Sequence, residues 1–248
     1  MALSIEDVIP LQVAETRIPD LPAEHRLTHL SGTTAVVMAF AVVQSGGVIL
    51  FETGVGEPDL PSVPSGYGGS LHERDGVRPM PILGELERLG IHLSDVRAIV
   101  NSHLHWDHCG GNARFPGVPI YVQRAEYKAA RWGGRYYTVP EWVDFPDAEL
   151  VVIDGDATIG RGVSVISTPG HTVGHQSLLI DTRDGRVALA GQAVYLRDEY
   201  EEILGGGEGY GGGAAPDETH RSALRIIAKQ PTRVHFSHDL AVWTKGAV

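Results

Sequence analysis

Apolar positions along this chain come mostly in short runs rich in Val, Ile and Ala, broken by Gly, Pro, Asp and Asn. That rhythm belongs to strands and turns more than to long helices. Residues 34–44 and 48–51 are two such runs with Ser45-Gly46-Gly47 between them, which predicts a hairpin and places the start of the core there. From 54 to 79 the pattern dissolves into Gly, Pro and Ser, so a loop longer than ordinary connections is expected, a candidate binding loop. Pro81 then opens a short helix over 82–89 that Gly90 closes. Strands are expected at 96–101, 119–122, 150–153, 162–167, 176–181, 186–190 and 232–236. Helices are expected at 124–132 and 217–229, the second with Asp217 near its N-cap and Pro231 just past its end. Strands first, then strands mixed with helices, predict packed sheets with helices outside.

Polar residues at the ends of those strands change the picture from architecture to chemistry. His103-Leu104-His105-Trp106-Asp107-His108 follows the apolar run 96–101 directly, putting four candidate ligands where the chain must turn. Chance would produce such a cluster in a chain of this length on the order of once in a thousand. His171 follows the run ending at Ser167, and His238 follows the run starting at Thr232. Three strands ending in histidines suggest one rim of a sheet that assembles a site. Imidazole nitrogens with a carboxylate are the donors a borderline-soft divalent ion such as zinc takes.

Composition narrows the class. The formal net charge is -11, which opposes partners held through phosphates and makes a nucleic-acid substrate unexpected. The single cysteine, Cys109, excludes an internal disulfide framework and suits a reducing compartment. The first residues carry neither a basic nor an apolar signal region, and the longest apolar stretch, 35–43, falls short of the roughly 20 residues that span a bilayer. The expectation is one cytoplasmic domain over residues 1–248, without membrane or nucleic-acid partners; the sequence leaves its oligomeric state open.

With these residues in view, the chain resembles the metallo-β-lactamase-fold superfamily and, within it, the N-acyl homoserine lactonase branch. The resemblance rests on His103 to Asn112, on Thr168-Pro169-Gly170-His171-Thr172-Val173-Gly174-His175-Gln176-Ser177, on Tyr195 and on His238. It implies an α/β fold, an αββα sandwich of two mixed sheets with the metals at one edge. His103, His105 and His171 would hold one metal, and Asp107, His108 and His238 the other, with zinc expected and iron, manganese or cobalt as alternatives. A hydroxide between the ions would attack a substrate carbonyl, and the Tyr195 phenol would bond the carbonyl or leaving oxygen. Asp107 and Tyr195 are thus the expected catalytic residues. Gln192 stands where relatives carry a bridging aspartate, and a carboxamide offers one ligating oxygen in place of two. It remains in the expected metal set, and Asp198, Glu199, Glu201 and Glu202 nearby are candidates to substitute for it. Glu52 also departs from the usual aspartate by one methylene.

The expected activity is metal-dependent opening of a small-molecule acyl lactone or related ester. Alternatives are a thioesterase of the same fold, or a metal-binding pathway protein that lost hydrolysis through Gln192. His175 is expected beside the ligands in a supporting role, and Cys109 as a small buried residue. His25, His29, His72, His92, His220 and His235 are expected at the surface or in packing. Trp132, Tyr136, Tyr137, Trp142 and Phe145 either pack a loop or line a wall for an acyl chain.

Overall fold

A computed structural model describes residues 5–17, 28–56, 78–131 and 138–246. Its strands are β1 (Ile5–Arg17), β2 (Thr34–Gln44), β3 (Gly47–Phe51), β4 (Arg78–Pro79), β5 (Val96–Val100), β6 (Pro119–Gln123), β7 (Glu149–Ile153), β8 (Ala157–Gly160), β9 (Val163–Ser167), β10 (Gln176–Thr182), β11 (Gly185–Leu189), β12 (Arg233–Phe236) and β13 (Asp239–Thr244). The helices are α1 (Ile82–Arg88), α2 (Trp106–Cys109), α3 (Arg124–Arg131), α4 (Arg197–Leu204) and α5 (Pro216–Ala228). One sheet runs β4-β1-β2-β3-β5-β6-β7 and the other β13-β12-β11-β10-β9-β8. Both are mixed: β3, β5, β6 and β7 pair in parallel, as do β11 and β12, and the remaining pairs are antiparallel.

Strand periodicity sorts the side chains into layers. On β2, Met38, Phe40 and Val42 face the second sheet, where they meet Val163, Val165, Leu178, Ile180, Val187 and Leu189. The alternate residues Val37, Ala39 and Ala41 face outward and are covered by Ile82 and Leu86 of α1. Tyr200 and Ile203 of α4 with Ala223 and Ile226 of α5 cover the outer face of the second sheet. The result is the expected αββα sandwich, and among the described residues no helix is long and apolar enough to cross a membrane.

The core begins earlier than residue 34. Strand β1 pairs antiparallel with β2 along almost its whole length, and its Leu11, Val13 and Ala14 are buried. Its pattern was hidden by Pro10 and by a register shift between Gln12 and Ala14 that breaks the two-residue period. Pro10 is tolerated because, among the described residues, β4 pairs only with Ala14 and Glu15 and no strand pairs with β1 at Pro10 on that edge. The short edge strands β8 and β13 and the acid-rich α4 were likewise not expected. Helix α5 opens at Pro216 after Ala215, so Asp217 sits in the first turn and not at the cap. Of the long loop expected at 54–79, residues 57–77 lie outside the described residues, as do His25, His72, Trp132, Tyr136 and Tyr137.

The histidine-bearing strands do not share one sheet. β5 belongs to the seven-stranded sheet, while β9 and β12 belong to the six-stranded one. The site therefore depends on how the two sheets pack. Phe40, 1% exposed, has its ring centroid 6.4 Å from Phe51 and 5.3 Å from His235. Phe40→Ala should cost about 3–5 kcal/mol, seen as a lower urea midpoint with an unchanged slope. A loss below about 1 kcal/mol would show that the ring does not fill the space between the sheets.

Candidate metal centre

Three nitrogens meet where β5 and β9 end. His171 Nε2 lies 3.2 Å from His103 Nε2 and 3.2 Å from His105 Nδ1. Burial, and for His103 and His171 the neighbouring imidazoles, hold all three well on the neutral side; His105 falls to about 4. Each far nitrogen of His103 and His171 already has a partner: His103 Nδ1 is 2.8 Å from Ser102 Oγ and His171 Nδ1 is 2.8 Å from Tyr195 Oη. With those nitrogens donating, the inward ones present lone pairs to one another, which is repulsive without a cation among them. Ligands about 2.0–2.1 Å from one zinc-sized ion in a tetrahedral arrangement lie roughly 3.3 Å apart, so the spacing fits such an ion.

The second group is Asp107, His108 and His238, whose donor atoms all lie within 4.8 Å of one another. Asp107 and His108 ride on the short helix α2 that follows β5, and His238 sits in the turn between β12 and β13. His238 Nδ1 donates to the carbonyl of Val36 at 2.9 Å, which leaves Nε2 as a buried lone pair with no hydrogen-bond partner. Asp107 Oδ2 lies 3.3 Å from His108 Nε2 and 3.8 Å from His238 Nε2. Burial opposes charge on both Asp107 and His108, but they face each other: the imidazoles hold the Asp107 carboxyl well below its usual range. Asp107 and Glu52 carry His108 up to about 10. Unpartnered buried nitrogens beside a carboxylate are what a cation would satisfy, so this donor set also fits a metal.

Tyr195 joins the groups. Its hydroxyl meets His171, and its ring stacks on His238 with centroids 5.8 Å apart. Gln192 is buried, its Oε1 lacks a hydrogen-bond partner, and its backbone N–H donates to His175 Nε2 at 2.9 Å. His175 Nδ1 in turn faces the carbonyl of Thr168 at 3.0 Å, which fixes a neutral tautomer, and burial lowers its pKa to about 3. His175 is therefore saturated on both nitrogens and supports the site, as expected. Cys109 is buried with its Sγ near the Leu104 carbonyl and belongs to neither donor group. Trp142 and Phe145 pack into the outer core of the first sheet, in line with the packing alternative.

Two carboxylates outside the donor groups organise these loops: Glu126, which the sequence did not single out, and Glu52, which it did. Glu126, buried on α3, accepts from the Leu104 N–H at 2.8 Å, the Thr172 hydroxyl at 2.7 Å and the Gly174 N–H at 3.2 Å. It ties the loop of His103 and His105 to the loop of His171. Glu52, at φ 69°, accepts from the Ser102 N–H at 3.0 Å and stands 3.5 Å from His108 Nδ1, so the longer side chain still reaches the second donor group. Nothing local in the sequence marks Glu126, because its partners lie 22 to 48 residues away. Of the acids beside Tyr195, Glu199 is spent on backbone donors and none joins either donor group.

Fold and donor set together define a class. The chain belongs to the metallo-beta-lactamase superfamily, whose family model matches residues 32–238. Among its relatives, an N-acyl homoserine lactonase from Bacillus sp is 34% identical over 209 residues, covering 82% of this chain and 81% of that protein. A Bacillus thuringiensis AiiA mutant solved with N-decanoyl-L-homoserine at its active site superposes with a TM-score of 0.75 at 27% identity, covering 96% of this chain and 94% of the other. An N-acyl homoserine lactone hydrolase solved with N-hexanoyl-L-homoserine at its catalytic metal center gives 0.74 at 28% identity, covering 97% and 95%.

Glu126→Gln leaves one of the three donors facing an amide N–H. It should lower divalent-metal affinity about 10–100-fold, measured by chelator competition, while far-UV circular dichroism stays native. Unchanged affinity would mean the loops hold the ligands without it.

Proposed function

We propose that this protein is a metal-dependent N-acyl homoserine lactonase working with zinc, ordinarily two ions, as a single domain in the cytoplasm. Tyr195 carries the reading, since it touches one donor group through its hydroxyl and the other through its ring. The lactonase relatives and the structures with acyl homoserines bound support the substrate class. Both donor groups draw on both sheets, which favours one functional domain. A lone buried thiol favours the reducing compartment.

His103, His105 and His171 would hold one ion, and Asp107, His108 and His238 the other, with the buried Gln192 carboxamide oxygen, which lacks a hydrogen-bond partner, as a candidate further ligand. Bound ions would supply an acidified water as nucleophile and a positive charge to polarise the ester carbonyl. The chain's own part is to place and hold protons. His171, ligating through Nε2, must carry its proton on Nδ1 and donate it to Tyr195 Oη. The tyrosine's own proton is then free for the substrate. Burial first, then Asp107 and Glu199, push the Tyr195 pKa up, so the phenol stays a donor at neutral pH and can stabilise negative charge on the carbonyl or departing ring oxygen.

The ligand set is poor in charge. Two divalent ions would face one carboxylate, Asp107, with five imidazoles and at most a carboxamide beside it. The consequence is weak hold on at least one ion. Gln192→Asp adds a negative charge and a second ligating oxygen, and should tighten the weaker metal by at least about tenfold in a zinc titration. An unchanged titration would show that position 192 does not reach the metals.

The activity itself is tested with N-hexanoyl homoserine lactone, a matched thioester and a simple ester. The wild type should open the lactone; His105→Ala should lose metal and turnover together; Tyr195→Phe should keep its metal and lose about a hundredfold in kcat. Turnover of the thioester alone would move the reading to a thioesterase. Metal-loaded protein that cleaves none of the three would make it a non-hydrolytic metal protein.

A further inference from the structure

The glycine-rich stretch 205–213 has no task in the metal chemistry, and Glu199 is an acid the donor groups leave aside. In the folded chain the two meet. Glu199, on α4, is 1% exposed. Its Oε2 accepts from the Tyr195 N–H at 2.6 Å, and its Oε1 accepts from the N–H groups of Tyr210 at 2.8 Å and Gly211 at 3.3 Å. One carboxylate thus ties the backbone of Tyr195 to the glycine-rich segment.

That segment lies directly on the site. A Cβ added to Gly212 would come within 2.3 Å of the Tyr195 ring at Cε2, and one added to Gly213 within 2.3 Å of the His171 Cα. The next two residues continue the contact, Ala214 N–H donating to the His171 carbonyl at 3.2 Å and Ala215 N–H to that of Gly170 at 3.0 Å. Only residues without side chains fit so close. Tyr195 is therefore fixed at three points: backbone by Glu199, ring edge by Gly212 and hydroxyl by His171.

We propose that Glu199 is a positioning residue for lactone opening, setting through Tyr195 and the glycine-rich strap where the phenol meets the substrate. The proposal rests on the reading of Tyr195 as a donor to substrate. A carboxylate is required because three N–H donors converge on it, and both of its oxygens accept. A carboxamide has one oxygen and turns an N–H toward the remaining donors. Misplacing a reacting group by about 1 Å costs up to roughly a hundredfold in rate, so a loosened phenol should be visible in kcat.

A double-mutant cycle of Glu199→Gln and Tyr195→Phe on N-hexanoyl homoserine lactone, with metal content measured for every variant, tests it. Glu199→Gln should lower kcat at least about tenfold at native metal content and near-native KM. In the Tyr195→Phe background the same change should matter less than about twofold, because the group it positions is gone. Equal losses in both backgrounds would overturn the proposal, since Glu199 would then act elsewhere. If Tyr195→Phe alone leaves kcat unaltered, the donor reading of Tyr195 fails and this proposal falls with it, a result distinct from equal losses. Should Glu199→Gln not fold, Glu199→Asp, which keeps both accepting oxygens but draws them back by one methylene, goes through the same cycle and is decided by the same criterion.

Discussion

Nitrogen lone pairs held 3.2 Å apart repel one another, and the close packing of two sheets is what keeps them there. His103 and His105 hang from the seven-stranded sheet and His171 from the six-stranded one, so no local preference brings them together. The apolar faces do, through Phe40, Phe51 and Val100 on one side and Leu178, Ile180 and Leu189 on the other. Burying each such side chain contributes about 1.5–3 kcal/mol, so several of them outweigh the strain of crowding a handful of imidazoles. Burial also strips protons from the first three histidines, leaving them neutral and ready to ligate.

Around that crowded centre, buried carboxylates do the fastening. Glu126 links the two loops that carry the first donor group, Glu52 links the end of β5 to His108, and Glu199 links Tyr195 to the strap over it. Each accepts from main-chain N–H groups, a charge-assisted arrangement that offsets the cost of burying the carboxylate. Such fasteners determine geometry without entering the ligand set. They are also where this chain differs in means from the simple picture of histidines on a rigid rim, because the rim belongs to two sheets and must be stitched.

Charge balance separates the two donor groups. The first is three neutral imidazoles; the second has Asp107, with Glu52 close behind His108. Gln192 adds a buried oxygen without a hydrogen-bond partner but no charge. An ion in the second group would therefore meet more negative charge than one in the first, so the two donor groups are chemically unequal.

The chain's local chemistry was legible in sequence wherever the signal was short-range. Hydrophobic runs located most strands, Pro81 and Gly90 bracketed α1, and the six residues from His103 to His108 marked the candidate donors that the fold gathers with His171 and His238. Strand β1 escaped because Pro10 and a bulge broke its period, and α4 because its charges masked its buried face. Folding alone decided what depends on contacts across sheets: that His171 and His238 close the two groups, and that Glu126 ties the loop after β5 to the loop of His171. Those partners lie far apart in the chain, so only the packing of one apolar face on another brings them within hydrogen-bonding or van der Waals reach.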